Sequence, residues 1–299
     1  AGNGLSGSAG AEGATFTVTS NGVSTNTAST LVFRDGSGDF AANIITATAK
    51  NAITATAIVL DGGTLVLSDN NSVTIAGTIN GSNTTEGTLQ ITGATKTFSG
   101  AIGGTQALTL IDVDNAAIFN GSIEATTLSV AASNYALELN GAANVITDAV
   151  TFSNTGALTL GDGASDSSTF NAGITAIAPS TVYVAGIIKA AGTGVITLGD
   201  SNTGVSVTST STIGDNSTGS ITLGDVTLAD AVTLTIGKNG VANTQNIRSI
   251  SGTAGVSASN ITLSTSSTTT VSGNIGTDIA TLNIDGGVTF EGTVTATTI

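Results

Sequence analysis

Residues 88–123, TLQITGATKTFSGAIGGTQALTLIDVDNAAIFNGSI, state one pattern twice. Leu89, Ile91, Phe98, Gly100 and Ile102 are answered by Leu108, Leu110, Phe119, Gly121 and Ile123, with both the phenylalanines and the glycines 21 residues apart. Self-similarity at a period of about 20 residues marks a solenoid, in which one repeat cannot bury its apolar face alone and neighbours stack to do so. Apolar and small polar residues alternate within each copy, the period of a strand rather than a helix.

The same unit recurs elsewhere. An apolar residue followed by x-Gly-x-apolar stands at Ile75–Ile79, Val271–Ile275 and Phe290–Val294, and its glycine moves by 23, 21 and 19 residues between the neighbouring copies 77 to 100, 100 to 121 and 273 to 292. A second phrase, Ile196-Thr197-Leu198-Gly199-Asp200, returns as Ile221-Thr222-Leu223-Gly224-Asp225 and echoes Leu158–Asp162. The expected fold is all-β: a parallel β-solenoid of about 14 coils of roughly 19–25 residues, its strands stacked ~4.8 Å apart. Residues 1–13, AGNGLSGSAGAEG, read as a flexible N-terminal or joining segment, and 14–299 as one continuous solenoid.

Composition agrees. Hydrophobic residues make up 39% of the chain but aromatics only 3%, so a core must be built from Val, Ile, Leu, Ala and Thr, with Phe as an occasional plug. The β-branched residues favour pleated, half-buried surfaces, and 40 glycines oppose long helices. Equivalent positions in successive coils point the same way, so Phe98, Phe119, Phe170 and Phe290 are expected inside.

A net charge of −14, with six scattered Lys and Arg, argues against binding nucleic acid or an anionic membrane and makes divalent cations the natural counter-ions. No apolar run is long enough for a membrane-spanning helix. Without Cys or His, the usual nucleophile–base pairs are missing, and no catalytic residue is expected. The absence of Met and the start at Ala1 point to a processed chain or to part of a longer one.

One set of residues hints at a ligand. The pattern aliphatic-x-Leu-x-Asp ends in Asp69, Asp112, Asp162, Asp200 and Asp225, while intervening coils place Gly93 and Gly186 at that position. Asp and Gly are common at strand ends for conformational reasons alone. Read functionally, Asp112, Asp114, Asp162, Asp166, Asp200 and Asp225 are candidate Ca²⁺ ligands, since carboxylate and carbonyl oxygens suit that ion. Neither the EF-hand spacing nor the glycine-rich nonapeptide of calcium-binding β-rolls is present.

The stretches 87–102 (GTLQITGATKTFSGAI), 116–130 (AAIFNGSIEATTLSV) and 281–298 (TLNIDGGVTFEGTVTATT) resemble passenger regions of large bacterial surface proteins, both autotransporters and rickettsial-type surface-layer antigens. The resemblance implies an extracellular β-solenoid with a structural or adhesive role. No outer-membrane barrel segment accompanies it, and no catalytic residue carries over. The expectation is therefore a non-catalytic structural subunit at the bacterial cell surface that assembles with itself into a filament or lattice, with Ca²⁺ as a candidate linker and a cell-envelope anchor as a candidate partner. The alternative is an adhesin that binds a host or surface partner.

Overall fold

A computed structural model describes strands Leu5–Ser8, Thr17–Ser20, Ile44–Thr46 and Ala52–Ile53, and residues 56–299. The chain divides into two units, Ala1–Asn43 and Ile44–Ile299. In the first, Leu5–Ser8 pairs antiparallel with Thr17–Ser20. Leu5–Ser8 falls inside the segment expected to be a flexible join; the rest of that segment lies outside the described residues.

The second unit is the expected parallel β-solenoid, of about 11 turns rather than 14. The described solenoid begins at Ile44, which removes about two coils, and many coils are longer than 21 residues, with Thr197, Thr222, Asn246 and Thr270 paired at steps of 25, 24 and 24. At strand spacing the stack is on the order of 50 Å long.

Each coil visits three faces. The first is a ladder running from Val73–Ile75 through Lys96–Phe98, Ala117–Phe119, Leu137–Leu139 and Leu158–Leu160 to the first half of Thr181–Ala190 and beyond. The second includes Ala143–Ile146, Ser167–Phe170 and, further on, Thr233–Gly237 and Ser259–Val271. The third begins with Thr64–Leu67, Thr88–Ile91 and Leu108–Val113. It pauses where Glu124–Val130 packs against Val150–Thr151, then continues through Gly173–Ala176, Val195–Leu198 and Ile221–Leu228. Long strands such as Thr181–Ala190 turn a corner through a register shift between Val184 and Gly186, and so serve two faces. Extra residues are taken up in the corners, which is why ladders stay in register although coil length varies.

Alternation sends one residue in two to the interior. Leu89, Ile111, Leu139, Leu160, Val184 and Ile213 are wholly buried. Phe98 and Phe119 stack with ring centroids 4.9 Å apart and planes 10° from parallel, while Phe152 meets Phe170 edge to face at 5.9 Å. Phe170 is buried as expected; Phe290, in the last described coil, is only partly covered yet packs against the core.

The repeated glycine has a tertiary cause. A Cβ on Gly100 would lie 2.4 Å from the Gly77 carbonyl oxygen, one on Gly121 would lie 2.2 Å from that of Gly100, and one on Gly292 would lie 2.3 Å from that of Gly273. Successive corners nest backbone on backbone, and only hydrogen fits between them.

Not every interior position is apolar. Lys96 stands in the inward column between Val73 and Ala117 and is 1% exposed. Its ammonium donates to the carbonyls of Asp69 (2.8 Å), Asn71 (3.1 Å) and Ala94. Burial lowers its pKa, with the Asp69 charge working in the other direction. Near the far end, Gln245 donates to Asn243 Oδ1 (2.9 Å) and the Ser264 carbonyl (3.0 Å) and accepts from Thr269 (2.9 Å), forming a hydrogen-bonded polar seam inside the stack. Such side chains are tolerated there because their polar atoms are paired.

Candidate functional site

The candidate acidic residues fall into separate groups. Asp112 and Asp114 sit on the third face, where Gln90 of the preceding coil donates to both, at 3.1 and 3.5 Å. Asp166 is 7% exposed and closes its own turn, its Oδ2 accepting from the N–H groups of Asp162 (2.9 Å) and Gly163 (2.7 Å). A carboxyl–carboxyl hydrogen bond to Asp166, with smaller contributions from desolvation and repulsion, raises the pKa of Asp162. Among the described residues, no three carboxylates gather closely enough to hold a metal ion.

The acidic residues do not form one column. Gly93 does lie beside Asp69, since a Cβ there would sit 2.1 Å from the Asp69 carbonyl oxygen. Asp112, however, pairs with Gln90, because Ile111 and Val113 face inward and Leu110 does not. Asp162 follows Leu158–Leu160, a strand of the first face. The apolar phrase in Leu108–Val113 is displaced by three residues from the aligned pairing, and any odd displacement exchanges the two sides of a strand.

Asp200 and Asp225 lie on adjacent coils. Leu198 pairs with Leu223, but the first coil then spends residues 199–203 on a turn before Val205 pairs with Val226, so Asp200 opens that turn with its backbone against Gly224, and Asp225 is level with Gly204. Asp200 Oδ1 accepts from the N–H groups of Asn202 (2.7 Å) and Thr203 (2.9 Å), and these bonds lower its pKa. For Asp225, desolvation raises the pKa, but hydrogen bonds from Ser249 Oγ (2.6 Å) and Arg248 Nε (2.9 Å) outweigh it and hold the carboxyl below its usual value. The Arg248–Asp225 pair is half exposed, at 52% and 48%, so it contributes more to local charge balance than to stability.

Beside this pair runs a groove of about 480 Å³ on the third face. One wall is a ladder of outward residues, Thr197, Thr222, Asn246 and Thr270, held in line by strand pairing. Two residues further along each strand, the side-chain column reads Ile177, Gly199, Gly224, Arg248 and Ser272. At the two glycines the place of a side chain is taken by the backbone of the 199–203 turn, and Asp200 and Ser201 form the other side of the groove. Both glycines are required by packing: a Cβ on Gly199 would meet the Thr203 carbonyl oxygen at 2.4 Å, and one on Gly224 would meet the Asp200 backbone at 2.6 Å. The hollow is thus fixed by the backbone.

The repeated phrase Ile-Thr-Leu-Gly-Asp supplies two rungs of this groove, so that part was visible in the sequence. Ile177, Asn246 and Arg248 carry no such signal and reach the groove only through coil stacking.

Among the described residues, fold and surface define a three-faced parallel β-solenoid with a groove on its third face. No protein-family model matches the chain, and neither a curated protein nor a solved structure matches it. Among the described residues, no helix is long and apolar enough to cross a membrane.

Proposed function

We propose that the chain is a non-catalytic structural subunit of an extracellular layer or fibre at a bacterial cell surface, and that it assembles with copies of itself. The observation that carries this reading is the continuity of the in-register ladders through about 11 turns, a construction that resists bending and local opening. The outward columns support it, being built largely of Thr, Ser and Asn rather than of converging catalytic groups. The acidic turns are the proposed junctions. Ca²⁺ takes six to eight oxygen ligands, and neither Asp112 with Asp114 nor Asp162 with Asp166 offers more than part of such a shell, so a second copy would have to complete it.

Electron microscopy of the purified chain, with Ca²⁺ and then with a chelator, tests the proposal. Ordered sheets or filaments that dissolve on chelation support assembly through the acidic turns. Assemblies that survive chelation keep the structural role and move the junction elsewhere, whereas isolated rods under every condition overturn it.

A further inference from the structure

We propose that the groove beside Arg248 is a binding site for a neutral oligosaccharide. This goes beyond the structural role and does not depend on self-assembly.

Its volume of about 480 Å³ lies within the range typical of ligand sites, roughly 300–1,000 Å³. Its chemistry is mixed in the way a sugar ring requires: a largely carbon-lined floor with Ile177, itself 44% exposed, at one end, and a few polar groups around it. Sugar hydroxyls both donate and accept. Asp200 supplies an acceptor, since its backbone bonds engage Oδ1 and leave Oδ2; Asn246 supplies both kinds of group; Arg248 is held through Nε, which leaves its two terminal nitrogens as donors. The hydroxyls of Thr197, Thr222 and Thr270 stand in line with the amide of Asn246 at strand spacing, so polar contacts repeat every ~4.8 Å along a ligand lying parallel to the stack.

Local charge selects among saccharides. Arg248 is already paired with Asp225, and Asp200 lines the same groove, so the site keeps an excess of negative charge and disfavours uronic or sulfated sugars. The groove is also preformed, because the 199–203 turn packs directly on Gly224 and strand pairing holds the facing ladder.

The test is calorimetry and saturation-transfer NMR on the full chain with cellotetraose, maltotetraose, mannotetraose and chitotetraose, and with trigalacturonate as the charged comparison. Expected is saturable binding of at least one neutral tetraose, weakened about tenfold or more by Asn246→Ala and by Asp200→Asn, and unchanged by Thr227→Ala on the first face. Asp200→Asn keeps the oxygen that accepts from Asn202 and Thr203, and Asn246 is exposed, so both variants should fold; circular dichroism checks this. The proposal is overturned if no neutral tetraose binds at about 10 mM. Binding that ignores both groove substitutions, or a preference for trigalacturonate, overturns it equally.

Discussion

Gly121 is a glycine for reasons of space. Its φ is not positive, but the backbone of the preceding coil lies against it. Gly121→Ala should therefore destabilise the chain by roughly 1–3 kcal/mol, the ordinary cost of overpacking. Gly163→Ala, where a Cβ would meet nothing closer than 3.5 Å, should change stability little in the same denaturant titration. Lys96 poses the opposite problem, a charge placed inside. Replacing it by Met keeps much of the volume but strips the carbonyls of Asp69, Asn71 and Ala94 of their shared donor, and the midpoint of denaturation should fall by an amount equivalent to about 1–3 kcal/mol. Tyr135 gives a pH signature. Burial pushes its pKa up to about 12 from 10.0, and its hydroxyl donates to the Val113 carbonyl at 2.6 Å. Between those two values the unfolded chain has lost the proton and the folded chain retains it. The stabilisation is thus fully present below pH 10.0 and is lost as pH rises towards about 12. Thermal melts across that interval should show a decline that Tyr135→Phe reduces.

At the scale of the strand, alternation was legible and register was not. Phe98 and Phe119 announce their rung because an aromatic, a glycine and an aliphatic recur at one spacing, and the rings do stack. Phe119→Ala should cost about 3–5 kcal/mol, since a large buried side chain leaves a cavity that the stiff ladders on either side cannot close; chemical denaturation measures it. The acidic pattern conceals its register for a related reason. In Leu108–Val113 four of six residues are aliphatic, so the inward set cannot be chosen from hydrophobicity alone. Pairing of Ile111 with Leu89 decides it and puts Asp112 beside Gln90.

At the scale of the molecule, coils touch chiefly the coil before and the coil after, so a defect should stay local. Hydrogen exchange followed residue by residue should show that Phe119→Ala weakens protection in the neighbouring strands Lys96–Phe98 and Leu137–Leu139. Protection in the second-face part of Ser259–Val271 should be unchanged. Uniform loss along the whole stack would mean that the solenoid opens as one cooperative unit instead.

Sequence alone determined the fold class, an approximate coil period and the burial of Phe98, Phe119 and Phe170, because a stacked ladder writes the same demand into every repeat. It also marked the glycines, though not the reason for them. The stack decided the rest. Residues distant in the chain become neighbours by coil pairing, and corners absorb a varying number of residues before each strand resumes. For that reason Asp225 and Arg248 meet, Lys96 finds three carbonyls, and a groove forms between Ile177 and Arg248. None of these follows from spacing along the chain, since each depends on how many residues the intervening corner consumes.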